Sequence, residues 1–180
     1  DVLIYHAAVR LAPFVEMVTH SAIVNHGGGL RKERERVWAN PCHYAQAAFA
    51  DFAEATPVAV DIESVMERAP MVLPDLKNVA REASFSAVDA LAALAKDGSL
   101  LLSIVSRGTA GPVRLEVELN DFKPAGSAEL LTLAAEAPWA GNTMETPDAI
   151  KPARSRVELR GGRFEVELRP YTWLRARIPK

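Results

Sequence analysis

Four histidines (His6, His20, His26 and His43), Cys42 and the carboxylates Asp61, Glu116, Glu118, Glu158, Glu165 and Glu167 are the first candidates for chemistry in this sequence. Their settings differ. His6 falls on the face of an N-terminal helical pattern and reads as an ordinary helix-face residue. His20 lies in an apolar, nearly uncharged run over residues 14–25, where a hydrogen-bonded core histidine is expected. His26 stands where that run ends, after Asn25 and before Gly27-Gly28-Gly29. In parallel α/β folds the carboxyl ends of strands carry the active site, and glycines there let backbone and ligand approach closely. His26 therefore reads either as a site-lining residue or as part of a plain loop.

Glycoside hydrolysis by retention needs two carboxylates about 5 Å apart, and inversion needs a wider pair. The six carboxylates sit at alternating strand positions, where outward solvation is expected, so none is assigned a catalytic role. The three glycines lack the spacing of a phosphate-binding loop. The run at residues 31–36 alternates Arg or Lys with Glu, which cancels its charge and favours a solvated or salt-bridged face. Cys42 reads as a small buried side chain, and Ser103 and Ser106 lack a nucleophile-elbow motif. Trp139, Tyr171 and Trp173 could stack on a sugar, although packing is the better reading of such large apolar surfaces. No catalytic residue, metal ligand or cofactor site is assigned.

The elements that must position these residues change character near Thr56-Pro57. Before it, Val2, Leu3, Tyr5, His6, Val9 and Leu11 repeat at the helical period, and Pro13 closes that helix. Residues 14–25 suit a parallel strand buried on both faces. Asn40 and Pro41 open a second helix over 41–54 as N-cap and first helical residue, with Ala45, Ala48, Phe49 and Phe52 on its apolar face. Residues 1–55 thus read helix–strand–loop–helix, the end of an α/β layer that needs neighbouring strands.

After Thr56 the period is 2. Strands are expected over 58–62, 87–95, 100–106, 113–119, 128–133, 157–159, 164–168 and 173–178. One hairpin turns at Asp97-Gly98, and a second is expected at residues 160–163. Strict alternation implies that one face of each sheet meets water. The predicted fold is mainly β: an antiparallel β-sandwich of the jelly-roll kind over residues 56–180, preceded by the α/β piece of residues 1–55.

The 180 residues suffice for one good-sized domain, or one domain and a fragment of another. A formal charge of −2 gives no electrostatic reason to expect nucleic acid or an anionic membrane as partner. One cysteine excludes an internal disulfide framework. No apolar stretch reaches transmembrane length. The chain opens at Asp1 without Met or a leader pattern, so a segment upstream is expected to have been removed. The compartment stays open between cytoplasmic and secreted.

Residues 19–44, which contain Asn25-His26-Gly27-Gly28-Gly29 and Val37-Trp38-Ala39-Asn40-Pro41-Cys42-His43-Tyr44, closely resemble the C-terminal part of α-L-arabinofuranosidases of glycoside hydrolase family 51. Supporting matches are Leu130-Leu131-Thr132-Leu133, the stretch Trp139-Ala140-Gly141-Asn142-Thr143 leading to Pro147-Asp148, and the closing run from Leu168 to Leu174. The resemblance implies a (β/α)8 barrel followed by a jelly roll. Residues 2–12 would be its seventh barrel helix, 15–25 its eighth strand and 41–54 its eighth helix. It implies a retaining, exo-acting hydrolase of terminal arabinofuranosyl groups on plant polysaccharides, oligomeric at full length. Both catalytic glutamates would lie on barrel strands outside these residues, so the chain alone is expected to be inactive. Asn25 and His26 would be substrate-binding rim residues. Many members carry Gln three residues before the position of Asn25, where this sequence has Ala22. The sandwich would be an accessory structural domain; a carbohydrate-binding module for arabinan or arabinoxylan and an oligomerisation domain are the alternatives.

Overall fold

The computed structural model describes residues 1–27, 29–68, 84–108 and 110–180. Gly28, within the triple-glycine loop, lies outside the described residues. In chain order the elements are α1 (Val2–Arg10), β1 (Leu30–Glu33), β2 (Arg36–Ala39), α2 (Pro41–Phe49), a 3-10 turn (Ala50–Phe52), β3 (Thr56–Val58), β4 (Met66–Arg68), β5 (Ser84–Ser86), β6 (Val88–Leu94), β7 (Leu100–Ser106), β8 (Val113–Glu118), β9 (Ser127–Ala134), β10 (Ala153–Glu158), β11 (Arg163–Leu168) and β12 (Thr172–Ile178).

Both expected helices form. Asn40 takes the extended backbone of an N-cap, with Pro41 at the first helical position. Its side chain does not cap α2, however; its Oδ1 accepts the Asn142 backbone N–H at 3.2 Å.

The strand expected over residues 14–25 does not form. Val24 makes a single parallel bridge to Leu30, and Phe14 and Met17 are 91% and 78% exposed. A two-faced apolar strand needs a strand on either side to satisfy its backbone, and no described strand pairs with this one. The charged run 31–36 is mostly exposed, as expected of a solvated face, and it also carries a hairpin, with Arg31 opposite Trp38 and Lys32 opposite Val37. Composition hid it, because Lys and Glu are poor strand formers.

The sheet that dominates the molecule has six antiparallel strands in the order β10-β9-β12-β7-β6-β3. The β6–β7 hairpin turns where expected: Gly98 has φ +82°, and Asp97 Oδ1 accepts the Ser99 N–H at 3.0 Å. The second expected hairpin is a correction. β10 pairs with β9, and β11 pairs with β8 in a separate two-stranded ribbon. Only an isolated bridge joins Arg160 to Arg163. The glycines at 161 and 162, both with φ above +50°, let the chain leave one sheet for the other instead of folding back on itself.

One face of the six-stranded sheet packs on this ribbon. Ala90, Leu102, Ile104, Leu130, Leu174 and Ile178 meet Phe164, Leu168, Leu115 and Val117 in the main core. The ribbon's other face is wet, as the alternation in β8 and β11 predicts. There Arg114 pairs with Glu165, and Arg163 pairs with both Glu116 and Glu118. The large sheet departs from the expectation of one wet face. Its second face is covered by α1, α2 and the 3-10 turn, which pack Val2, Ala45, Phe49 and Phe52 on Leu91, Leu101, Leu131, Leu133 and Trp173. β7 reads Leu-Leu-Leu-Ser-Ile-Val-Ser, apolar on both faces apart from its two serines rather than alternating, as a strand buried on both sides requires.

Candidate functional site

The loop that carries Asn25 and His26 is held by three sets of bonds. His20 lies between Tyr5 and the loop: its Nε2 is 2.5 Å from the Tyr5 hydroxyl, and its Nδ1 is 3.2 Å from the Gly27 carbonyl. A carbonyl only accepts, so Nδ1 carries the proton and the tyrosine donates to Nε2. Asn25 adopts φ 58°, a left-handed conformation that Asn tolerates better than most residues. Its Oδ1 accepts the Lys32 N–H at 2.7 Å, its Nδ2 donates to the Lys32 carbonyl at 3.0 Å, and its own N–H bonds Leu30 O at 2.8 Å. The Asn25 amide therefore clamps the loop onto β1. His26 is exposed, and its carbonyl accepts from Arg31 at 2.9 Å; its imidazole makes no hydrogen bond among the described residues. Asn25 thus shapes the loop, and His26 is exposed on it.

Gly29 fixes the other end. Its carbonyl accepts the Asn40 N–H, its φ is +85°, and a Cβ there would lie 2.7 Å from both Cys42 Sγ and the His43 nitrogen. Close approach to the start of α2 therefore demands glycine. Gly29→Ala is expected to cost about 2 kcal/mol through backbone strain and overpacking. Urea unfolding measures it, and an unchanged midpoint would refute the steric account. Cys42, half-buried beside Gly29, is a packing residue.

The second cluster was not anticipated. His6, read as an ordinary helix-face residue, is fully buried. Its Nδ1 lies 2.5 Å from Asp89 Oδ1, and its Nε2 lies 2.7 Å from Ser103 Oγ. Trp173 Nε1 donates to the same Oγ at 2.8 Å. An indole nitrogen only donates, and the serine proton has no acceptor other than Nε2 among the described residues; Ser103 therefore donates to Nε2, and Nδ1 donates to Asp89. The imidazole is neutral and satisfied at both nitrogens. Burial pushes its pKa below the ordinary value, against the upward pull of Asp89 and with the help of Arg10 and Arg107. Arg10 also chelates Asp89, at 2.9 and 3.2 Å, and reaches the Ala90 carbonyl.

Ser103, His6 and Asp89 follow the order of a hydrolase triad. Neither Ser103 nor His6 reaches solvent, and the Ser103 oxygen is engaged by an indole N–H. The chain of bonds fastens α1 to β6, β7 and β12. The Asp51–Arg175 ion pair fastens the 3-10 turn to β12 on the same face.

Of the aromatic residues considered for sugar stacking, Trp173 is in the core, whereas Trp139 is 86% exposed. Among the described residues, no group of three His, Cys, Asp or Glu side chains could hold a metal ion, and no helix is long and apolar enough to cross a membrane.

No curated protein sequence matches the chain. Solved structures do. A glycoside hydrolase family 51 arabinofuranosidase from Xanthomonas axonopodis pv. citri superposes with a TM-score of 0.82 at 18% identity, over 98% of this chain and 34% of that one. A family 51 α-L-arabinofuranosidase from Bifidobacterium longum gives a TM-score of 0.69 at 20% identity, over 88% of this chain and 30% of its own. The thermostable enzyme of Thermotoga petrophila gives 0.62 at 19%, over 86% and 32%. The chain spans about a third of the length of each, and at these identities the likeness is one of fold. Residues 3–172 match the model of the α-L-arabinofuranosidase C-terminal domain, and the chain belongs to that family.

Proposed function

We propose that these 180 residues are the C-terminal part of a retaining, exo-acting α-L-arabinofuranosidase that releases terminal arabinofuranosyl groups from plant polysaccharides and oligosaccharides. The observation that carries this reading is the family match over residues 3–172. In it, residues 1–55 are the last helix–strand–helix of a (β/α)8 barrel, and residues 56–180 are an accessory jelly-roll domain.

Residues 15–25 are its eighth strand, which pairs only when the rest of the barrel is beside it. Their exposed apolar side chains and their lack of ladder partners among the described residues support that assignment. Asn25 and His26 then stand at the carboxyl end of the strand, on the rim of the sugar site. Double displacement requires a nucleophile and an acid/base carboxylate. Glu116, Glu118 and Glu165 are paired with arginines on the wet face of the ribbon, which speaks against a catalytic role for them; in the proposed reading both catalytic carboxylates lie on other barrel strands. The complete enzyme takes arabinose-containing glycans and is a homo-oligomer.

The test compares the 180 residues alone with the complete polypeptide on an aryl α-L-arabinofuranoside. Turnover is expected from the complete chain and none from the 180 residues; turnover by the latter would overturn the assignment. The exposure of Trp139 favours one second reading, in which the accessory domain itself grips arabinan or arabinoxylan through this ring. Titration of the 180 residues with arabino-oligosaccharides decides it. Millimolar or tighter binding that Trp139→Ala abolishes supports a binding role, and no heat at those concentrations leaves the domain structural.

A further inference from the structure

We propose that Asn142 is a positioning residue through which the β-domain sets the conformation of the Asn25–His26 loop, and thereby the affinity for sugar; the second half rests on the rim assignment above. Asn142 lies in the segment between β9 and β10 and is buried. Its Nδ2 donates to the Ala39 carbonyl at 2.7 Å and to the Ile150 carbonyl at 2.8 Å, and its Oδ1 accepts the Ile150 N–H at 2.8 Å. Its backbone N–H donates to Asn40 Oδ1 at 3.2 Å, and its carbonyl accepts the Trp38 indole N–H at 3.2 Å. Three of these five bonds cross to the last residues of β2 and the residue that follows.

From there the path to the loop is short. Ala39 is the ladder partner of Leu30. The Asn40 N–H holds the Gly29 carbonyl, and the Leu30 carbonyl holds the Asn25 N–H, each at 2.8 Å. Lys32, on the same strand, clamps the Asn25 amide. The loop therefore hangs on β1 and on Asn40. The far side of that support is fixed by one buried residue, whose side-chain amide holds Ala39 and, through Ile150, sets the backbone that holds Trp38 and Asn40.

The chemistry at this position selects asparagine. The site needs two donors facing carbonyls and one acceptor facing an N–H, all on a short side chain. Aspartate would turn an oxygen toward two carbonyls, and serine has a single donor. Asn40, whose side chain does not cap α2, accepts the Asn142 backbone N–H through its Oδ1.

The test uses the complete enzyme with Asn142→Ala and Asn142→Asp, together with amide exchange on the 180 residues. Exchange at Asn25, Leu30, Lys32 and Asn40 is expected to rise about tenfold while the central strands β7 and β12 keep their protection. KM for an aryl arabinofuranoside is expected to rise about fivefold with kcat nearly kept, the pattern of lost substrate positioning. Asn142→Asp retains the acceptor for Ile150 and should match Ala, because the donors are what it loses. Where Asn142→Ala fails to fold, Trp38→Phe removes a single crossing bond and should move both readouts the same way by less. Thr146→Ala, which breaks only the hydroxyl–hydroxyl bond to Thr143, should move neither.

Unchanged exchange in the loop overturns the positioning role. Raised exchange with unchanged KM and kcat overturns the link to the sugar. An enzyme that does not turn over arabinofuranosides defeats the functional reading instead, and exchange alone then decides whether Asn142 holds the loop.

Discussion

Replacing His6 by alanine is expected to destabilise the protein by about 3–4 kcal/mol, more than any other substitution on α1. The imidazole is fully buried and is the shared partner of Asp89 and Ser103. Its removal leaves a hole and strips one bond from each neighbour. A buried polar group without its partner costs about 1–3 kcal/mol, and the cavity adds to that. Arg10 still compensates Asp89, which keeps the total from rising further. Ser103→Ala should cost less, about 1–2 kcal/mol, since it removes one small hydroxyl but leaves His6 Nε2 and the Trp173 N–H unpaired. A double-mutant cycle in urea should show coupling between the two residues of at least about 1 kcal/mol. A loss below about 1 kcal/mol for His6→Ala would mean that α1 contributes little to the fold.

The same histidine gives the stability a pH dependence of definite sign. Its folded pKa lies below the ordinary value of about 6.5 because burial outweighs the pull of Asp89. Above pH 6.5 the imidazole is neutral in both states and no penalty exists. As pH falls below that value the unfolded chain takes up a proton that the folded chain refuses. Stability then declines by up to about 1.4 kcal/mol per pH unit until the lowered folded pKa is reached. Asp89 opens a lower window. Burial acts to raise its carboxyl, the hydrogen bonds from Arg10 and His6 outweigh this, and the net shift is downward. Its contribution is present above the ordinary carboxylate pKa of about 3.9 and is lost as pH falls through the depressed one. Urea midpoints between pH 7.5 and 5 should fall for the wild type, and this slope should flatten in a His6→Ala background.

Much of this architecture was legible in the residues. The shift from period 3.6 to period 2 at Thr56, the Asp97-Gly98 turn and the alternation of β8 and β11 each reflect local chemistry that survives in the fold. The misreadings share a cause: they concern surfaces that one segment presents to another distant in sequence. Residues 14–25 have the composition of a central strand, but a strand exists only with neighbours. The 160–163 turn permits a hairpin, yet β8 and β9 win the pairings with β11 and β10. The buried cluster left a faint mark. Ser103 interrupts the apolar run of β7, and Asp89 sits inside β6; a polar residue within a two-faced buried strand calls for a partner. That His6 supplies it, 97 positions away, is not deducible from spacing. Asn142 was visible only as part of a family motif, with no sign of what it binds.

The Asp51–Arg175 pair is where charge should matter most, and its two halves should not be equal. Arg175 lies in the middle of β12, with 9% of its side chain exposed, whereas 38% of Asp51 is exposed in the 3-10 turn that follows α2. Burial pushes the guanidinium pKa below its ordinary value, and nearby Arg177 adds to this. Arg175 Nε has no hydrogen-bond partner among the described residues, so Asp51 is the main compensation for a cation that cannot shed its proton. Asp51→Ala is expected to cost about 2–3 kcal/mol, somewhat below the range for a fully enclosed pair because water reaches one side. Arg175→Met removes the charge and most of its desolvation cost while keeping a long apolar stem on the sheet, and should stay within about 1 kcal/mol of the wild type. Thermal or urea unfolding of the two single variants and the double variant tests the asymmetry. Asp51→Ala should be nearly harmless in the Arg175→Met background, because the carboxylate then has no buried cation to serve. Equal losses from the two single variants would show instead that the pair stabilises by attraction alone, and that α2 is fastened to the sheet mainly by electrostatics rather than by Phe49 and Phe52.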